Sequence, residues 1–457
     1  MSSSSSLSSP PPRRAKKPRR EVHLIAEGSY GCVFYPGLNC RGHVDTPNYV
    51  TKLQVNKTST QNEWTVSQKV KKIPGYAKYF APILKQCRVR VSKDKAAEVS
   101  QCGVLRKAAA KARDPEASTP PSVSDSAATE SSFWSNPDNV LPANSVVVSN
   151  KMRYVGERSL GKFLKSLFAG AVDAADSLTN ATPLPPTLGL FRSASMRSPR
   201  RTLALHEFWR THAYVLKGLQ LLWKEQHIVH LDLKSNNIMY DDAKDHPVII
   251  DFGLSILHDK VGPENCRQYF FTFDTYAFWC IDVVVCSYIA RKVGAERAKR
   301  AHVTEAELSI IVDVFFRGNA VVEGVLSSSL SSLSSSAPVV HASATATFPG
   351  TTSRRLSADE FKTRCLAYFA RFVDAPWWDV FEHLQAFANT WDNYSTAMIY
   401  WMVLDDAHHA NAAAFAEMQV TYGKKYTAYV ALLESVIFAL PDERPAAGHT
   451  LRRVPTL

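Results

Sequence analysis

The sequence has no apolar run long enough to cross a bilayer. The longest, near Phe278 to Ala290, is interrupted by Asp282 and falls short of the roughly 20 residues a helical span needs. Met1 to Arg20 lacks the apolar stretch of a secretory signal, so an intracellular protein of cytoplasm or nucleus, or one carried in a virion, is expected rather than a secreted one. No C-x-x-C pair occurs among the eight cysteines (Cys32, Cys40, Cys87, Cys102, Cys266, Cys280, Cys286, Cys365), which argues against a zinc site or a disulfide scaffold and for reduced, structural thiols. Acidic residues are the scarcer charge, 42 against 54 basic ones, and leave a net +12. With 45% hydrophobic and 21% charged residues the composition is globular, which excludes a wholly disordered or fibrous chain.

Half of the net charge sits in the first twenty residues, where Arg13, Arg14, Lys16, Lys17, Arg19 and Arg20 follow a serine run and three prolines. So polar a segment cannot bury enough surface to offset its ordering entropy, and it reads as a basic arm. The arm suits a nucleic-acid or nuclear-import contact as well as it suits a merely solubilising tail. Three stretches turn abruptly to Ala, Ser, Thr and Pro, at about 108–141, 171–200 and 326–353, and read as insertions. The blocks left are 21–155, rich in short β-prone runs (His23 to Ile25, Cys32 to Tyr35, Tyr49 to Gln54), and 156–457, predominantly helical. Thr60 to Val70 reads as a helix within the first block. Leu203 to Gln226 reads as an amphipathic helix, with Phe208, His212, Val215, Leu219 and Leu222 on one face.

Directly after that helix comes His230-Leu231-Asp232-Leu233-Lys234-Ser235-Asn236-Asn237, and then Val248-Ile249-Ile250-Asp251-Phe252-Gly253. The two motifs, in this order and at this separation, resemble the H-R-D-L-K-x-x-N and D-F-G signatures of eukaryotic-type serine/threonine protein kinases, with Leu231 where Arg is usual. The wording of the loop is similar to kinases of large DNA viruses. The resemblance implies an α+β, bilobal protein-kinase-like fold, with a small β-rich N-lobe and a larger α-helical C-lobe that carry the low-complexity insertions. It also implies ATP and Mg²⁺ as cofactors and Ser or Thr hydroxyls of protein substrates as acceptors. Asp232 is then the base, Lys234 stabilises charge on the transferring phosphoryl, and Asn237 and Asp251 hold the metal, a hard cation that takes oxygen ligands.

Upstream, Ile25-Ala26-Glu27-Gly28-Ser29-Tyr30-Gly31-Cys32-Val33 resembles the glycine-rich loop over the nucleotide phosphates, with Ala26 in place of the first Gly. Lys52 in Tyr49-Val50-Thr51-Lys52 resembles the phosphate-binding lysine. Its expected partner is Glu63, the only acidic residue between Thr46 and Lys93, though Thr60 to Glu63 also reads as a capping box. The run Val146 to Glu157 resembles the last strand and hinge of the small lobe, with Met152 as gatekeeper and the backbone of Arg153, Tyr154 and Val155 facing adenine. Leu440 to Ala446 resembles the closing D-x-x-R-P signature.

No A-P-E motif exists to pair with Arg444. Two readings of Phe273 to Asp282 follow: Asp274 holds the backbone of the catalytic loop, which we expect, or Tyr276 to Asp282 stand where A-P-E is missing. The absent Arg at 231 implies activity independent of phosphate on Ser255 or Thr272, because such ordering works through Arg–phosphate contacts. Ser357 and Ser198, beside basic residues, are candidate self-targets. His408, His409, Trp377 and Trp378 have no ligand spacing around them and read as packing or surface. A pseudokinase scaffold of the same fold, motivated by Ala26 and the missing A-P-E, and a kinase-fold enzyme for a small molecule are the alternatives.

Overall fold

The computed structural model describes residues 22–28, 31–41, 44, 46–54, 58–90, 99, 101–106, 146–168, 199–270, 276–317, 322, 356–410 and 412–456. The basic arm, the insertions at 108–141 and 326–353, and that at 171–200 up to residue 198 lie outside the described residues, as do Ser29, Tyr30, Ser198, Thr272 and Asp274. The chain divides into two compact units, residues 1–56 with 84–154, and residues 57–83 with 155–457. The expected α+β make-up holds: the first unit is a β-sheet and the second is mainly helical. Residues 57–83 group with the helical unit. Among the described residues no helix is long and apolar enough to cross a membrane.

The first unit is built on β1 (His23–Gly28), β2 (Gly31–Tyr35), β3 (Tyr49–Gln54), β4 (Lys85–Arg90) and β5 (Val146–Arg153), an antiparallel sheet in the order β1-β2-β3-β5-β4. β-Branched and aromatic residues suit such a pleated surface, and alternate side chains of β2 (Cys32, Phe34) are fully buried with Leu53, Val147 and Leu105. The register sets Lys52 opposite Val33 on one side and Asn150 on the other.

The reduced-thiol reading is overturned in this unit. Cys32 is bonded to Cys102 and Cys40 to Cys87, while Cys266, Cys280, Cys286 and Cys365 remain free and buried. The partners are 70 and 47 residues apart, so the folding of the sheet and its flanking segment brings them together and no local spacing announces them.

In the second unit α1 (Thr58–Val70) comes first, and both Thr60 and Glu63 lie inside it, so Thr60 is not the cap of a capping box. α2 (Pro199–Gln226) starts on proline, whose missing N–H costs nothing in a first turn. Its expected stripe is the buried one: Phe208, His212, Val215, Leu219 and Leu222 are at most 4% exposed. His212 stacks on Tyr400 and pairs through Nδ1 with the Tyr429 hydroxyl at 2.8 Å, and burial lowers its pKa to about 3.

After α2 the chain forms β6 (Ile228–Val229), β7 (Ile238–Asp241), β8 (His246–Ile249) and β9 (Ile256–Leu257), as two small antiparallel pairs, β6 with β9 and β7 with β8. The helices α3 (Ile281–Tyr288), α4 (Glu305–Arg317), α5 (Ala358–Ala370), α6 (Trp377–Gln385), α7 (Trp391–Ala410) and α8 (Ala412–Ile437) then enclose one continuous apolar core. Trp377 is wholly buried in it.

The two glycines of the β1–β2 hairpin differ in what the fold asks of them. A Cβ on Gly31 would lie 2.3 Å from the Leu53 carbonyl oxygen and 3.1 Å from Gln54 Cα, whereas one on Gly28 would meet only the Gly31 carbonyl at 3.8 Å. Gly31→Ala is therefore expected to destabilise the protein by about 1–3 kcal/mol through overpacking, and Gly28→Ala to stay within about 0.5 kcal/mol of the parent. Denaturant midpoints check the contrast, and equal losses at both positions would contradict it.

Candidate active site

The loop from His230 to Asn237 joins β6 to β7, and its backbone is held from below. The Asp392 carboxylate, in the first turn of α7, accepts the His230 N–H at 2.6 Å and the Leu231 N–H at 2.9 Å. Burial pushes the Asp392 carboxyl above the usual carboxylate range, while His230 and the two N–H groups pull it back. Leu231 is buried at φ 64°, a left-handed conformation that costs a side-chain-bearing residue roughly 1–2 kcal/mol. Its carbonyl is tied down by the Trp279 indole N–H at 2.8 Å, and the His230 carbonyl by the Ser255 hydroxyl at 3.2 Å.

Asp274, the expected anchor of this loop, lies outside the described residues; among the described residues the carboxylate on the loop's backbone is that of Asp392. An acidic residue opening a largely apolar 20-residue helix was the available sequence signal.

Held in this way, the loop gathers Asp232, Lys234 and Asn237. Lys234 Nζ lies 3.2 and 3.1 Å from the two Asp232 carboxylate oxygens. Asn237 Nδ2 donates to Asp232 Oδ2 and to the Asp232 carbonyl, both at 2.8 Å, and so leaves its amide oxygen for another partner. Sequence reasoning missed a fourth member: the Tyr276 hydroxyl donates to Asp232 Oδ1 at 2.8 Å.

Asp251 follows Ile250, whose N–H is bonded to the Asn237 carbonyl at 2.9 Å, so the two oxygen-bearing side chains expected to hold metal come from adjoining backbone. Asp251 has φ 60°, and its Oδ1 accepts the Gly253 N–H at 3.3 Å. A Cβ on Gly253 would sit 3.6 Å from Glu63 Oε2, which brings α1 up to this segment, and Asn62 Nδ2 ties the same helix to the Ser255 carbonyl at 2.9 Å. The rings of Phe80, Phe252 and His230 follow one another at 6.1 and 5.2 Å, which ties this segment to the loop through the core. Ser255 is wholly buried and bonded, so it is not a free acceptor for a regulatory phosphate. Ser357 is exposed and caps α5, its hydroxyl accepting the Glu360 N–H at 3.1 Å.

The remaining expected residues belong to the first unit, except Val155, which falls in the second. Lys52 is 8% exposed and Met152 equally buried, while Ile25 is exposed and Val33 half-buried. Gly28 and Gly31 end β1 and begin β2, on either side of Ser29 and Tyr30. Of the hinge groups, the Tyr154 N–H is already taken by the Asn48 carbonyl at 2.9 Å, and the Tyr154 ring stacks on Tyr35.

Residues 190–275 match a family model described as a protein kinase domain, a stretch that contains both the loop and Asp251-Phe252-Gly253. Among solved structures, a crystal structure of an Stt7 homologue from Micromonas algae soaked with ATP is similar to this chain at 11% identity and a TM-score of 0.38, over 98% of this chain and 96% of that one. A comparison with curated proteins finds no match. The matched segment is thus similar to a protein kinase domain, and neither comparison extends the likeness to viral kinases.

Arg444 also has a buried partner. Its guanidinium is bonded to Asp282 at 2.8 and 3.1 Å, both side chains being at most 1% exposed, and Thr390 and the Ala439 carbonyl accept from it as well. Burial alone would lower the Arg444 pKa, and Asp282 beside it outweighs that and raises it. Asp282 is therefore the buried acid that meets Arg444. Arg444→Met, which strands the Asp282 charge, is expected to cost about 3–5 kcal/mol. Adding Asp282→Leu should recover most of that loss in thermal unfolding; a double variant as unstable as the single would contradict this.

Proposed function

We propose that this protein is a kinase that transfers the γ-phosphate of ATP to Ser or Thr hydroxyls of proteins. The observation that carries the reading is the Asp232 carboxylate, anchored through its own backbone and bonded by Lys234, Asn237 and Tyr276. In the proposed step Asp232 accepts the proton of the acceptor hydroxyl as that oxygen forms its bond to phosphorus. The bond from phosphorus to the bridging oxygen breaks, and ADP leaves with the electron pair. Lys234, beside the same carboxylate, offsets charge on the phosphoryl in transit.

The donor set suits Mg²⁺: the free amide oxygen of Asn237 and the carboxylate of Asp251 are hard oxygen ligands. When bound, the metal neutralises phosphate charge. We assign Lys52 to the phosphates with Glu63 as its partner, Ile25, Gly28, Ser29, Tyr30, Gly31 and Val33 to the cover over the nucleotide, and Met152 and residues 153–155 to the adenine. With its N–H engaged, Tyr154 could offer adenine only its carbonyl. Protein acceptors are favoured over small molecules by the buried Asp282–Arg444 pair, which braces the segment where the resemblance implies peptide docking. We assign the basic arm to nucleic-acid or nuclear-import contacts.

Asp232→Asn keeps the shape and removes the base. Radiolabelled transfer from Mg·ATP to a mixed basic-protein acceptor should fall about 10²–10⁴-fold, while stabilisation of the protein by nucleotide in a thermal shift persists. Undiminished transfer by the variant would refute the assignment, and nucleotide binding without transfer in the parent would point to a pseudokinase.

A further inference from the structure

Asp232 carries more donors than a base awaiting a substrate hydroxyl would need. A carboxylate has about four lone-pair sites. Here Oδ1 accepts from Tyr276 and Lys234, and Oδ2 from Asn237 and Lys234. The three donors differ in how firmly they are held.

The Lys234 side chain is 38% exposed at the end of a flexible stem, and it bridges both oxygens at the longest distances of the set. Asn237 is buried and bonded to the Asp232 carbonyl as well. Tyr276 is fixed by its neighbours: its ring packs edge-on to Phe278 at 5.5 Å and Trp279 at 5.3 Å, and its carbonyl accepts the Trp279 N–H at 2.9 Å. Trp279 is in turn bonded to the Leu231 carbonyl, so the segment that carries Tyr276 is fastened to the same loop that carries Asp232.

We infer that Tyr276 is a positioning residue for Asp232, an inference that rests on the reading of Asp232 as the base. One fixed donor per oxygen, Tyr276 on Oδ1 and Asn237 on Oδ2, stops the carboxylate from rotating about its Cβ–Cγ bond. Lys234 is the donor free to leave for the phosphoryl, and its departure opens a lone pair on the oriented carboxylate for the incoming hydroxyl. Burial and the neighbouring Asp232 both raise the Tyr276 pKa, which keeps the phenol protonated as a donor.

The test is Tyr276→Phe in the full chain, which removes one hydroxyl and keeps the ring packing. Steady-state transfer from Mg·ATP to the basic-protein acceptor should show kcat lower by about 10- to 100-fold, the size of one charge-assisted hydrogen bond. The KM values for ATP and acceptor and the melting temperature should stay near the parent's. An unchanged kcat overturns the inference. So does a raised kcat, which would mean that the hydroxyl competes with the acceptor, or phosphate found on Tyr276 by mass spectrometry, which would make it an acceptor itself. A KM increase with a lower melting temperature would reduce Tyr276 to a packing role. A parent that transfers no phosphate, by contrast, removes the reading of Asp232 and this inference with it.

Discussion

The site depends on one buried carboxylate. Asp392 accepts two consecutive backbone N–H groups, from His230 and Leu231, at 2.6 and 2.9 Å. Hydrogen bonds to a charged partner contribute roughly 1.5–3 kcal/mol each, enough to offset the left-handed turn at Leu231, while burial still holds the Asp392 carboxyl above the usual carboxylate range. That left-handed residue lies between β6 and Asp232. Without it the residues after Leu231 would leave in another direction, and Lys234 and Asn237 would not converge on one carboxylate. A strained residue persists only where its surroundings over-determine it, and here the N–H, the carbonyl and the buried side chain of Leu231 are all held.

A second buried acid, Asp282, braces the same region from the other side. Trp391, the neighbour of Asp392, donates its indole N–H to Asp282 at 3.1 Å, so the start of α7 serves both the loop and the Asp282–Arg444 pair. Leu231 is buried where a cation would have faced solvent, and Arg444 meets a buried acid in Asp282. The loop therefore stays ordered through buried contacts, with no phosphate-binding Arg at 231.

Local patterns made much of this legible. The strands over His23 to Gln54 and the stripe of α2 follow from alternation and helical periodicity, and the meeting of Asp232, Lys234 and Asn237 from one short motif. What escaped depends on distant contacts. Asp392 lies far along the chain from the loop it holds, and nothing near it in sequence says which backbone its carboxylate will meet. Asp274, closer and followed by an apolar run, looked the better anchor for that reason. The Tyr276 hydroxyl meets Asp232 across 44 residues of chain, beside Trp279, which is fastened to the same loop. The Cys32–Cys102 and Cys40–Cys87 pairs likewise required the sheet to exist before their spacing meant anything.

The most direct test of the central claim is the phosphate-transfer rate of Asp392→Asn, measured below its own melting temperature. The amide replaces one acceptor oxygen with a donor that faces an N–H, so the loop should lose its anchor while the apolar face of α7 stays packed. The account predicts a fall in kcat of about 10²-fold or more, in line with a misplaced catalytic group, in a protein that still binds nucleotide. Transfer at the parent rate by a folded Asp392→Asn protein would contradict it.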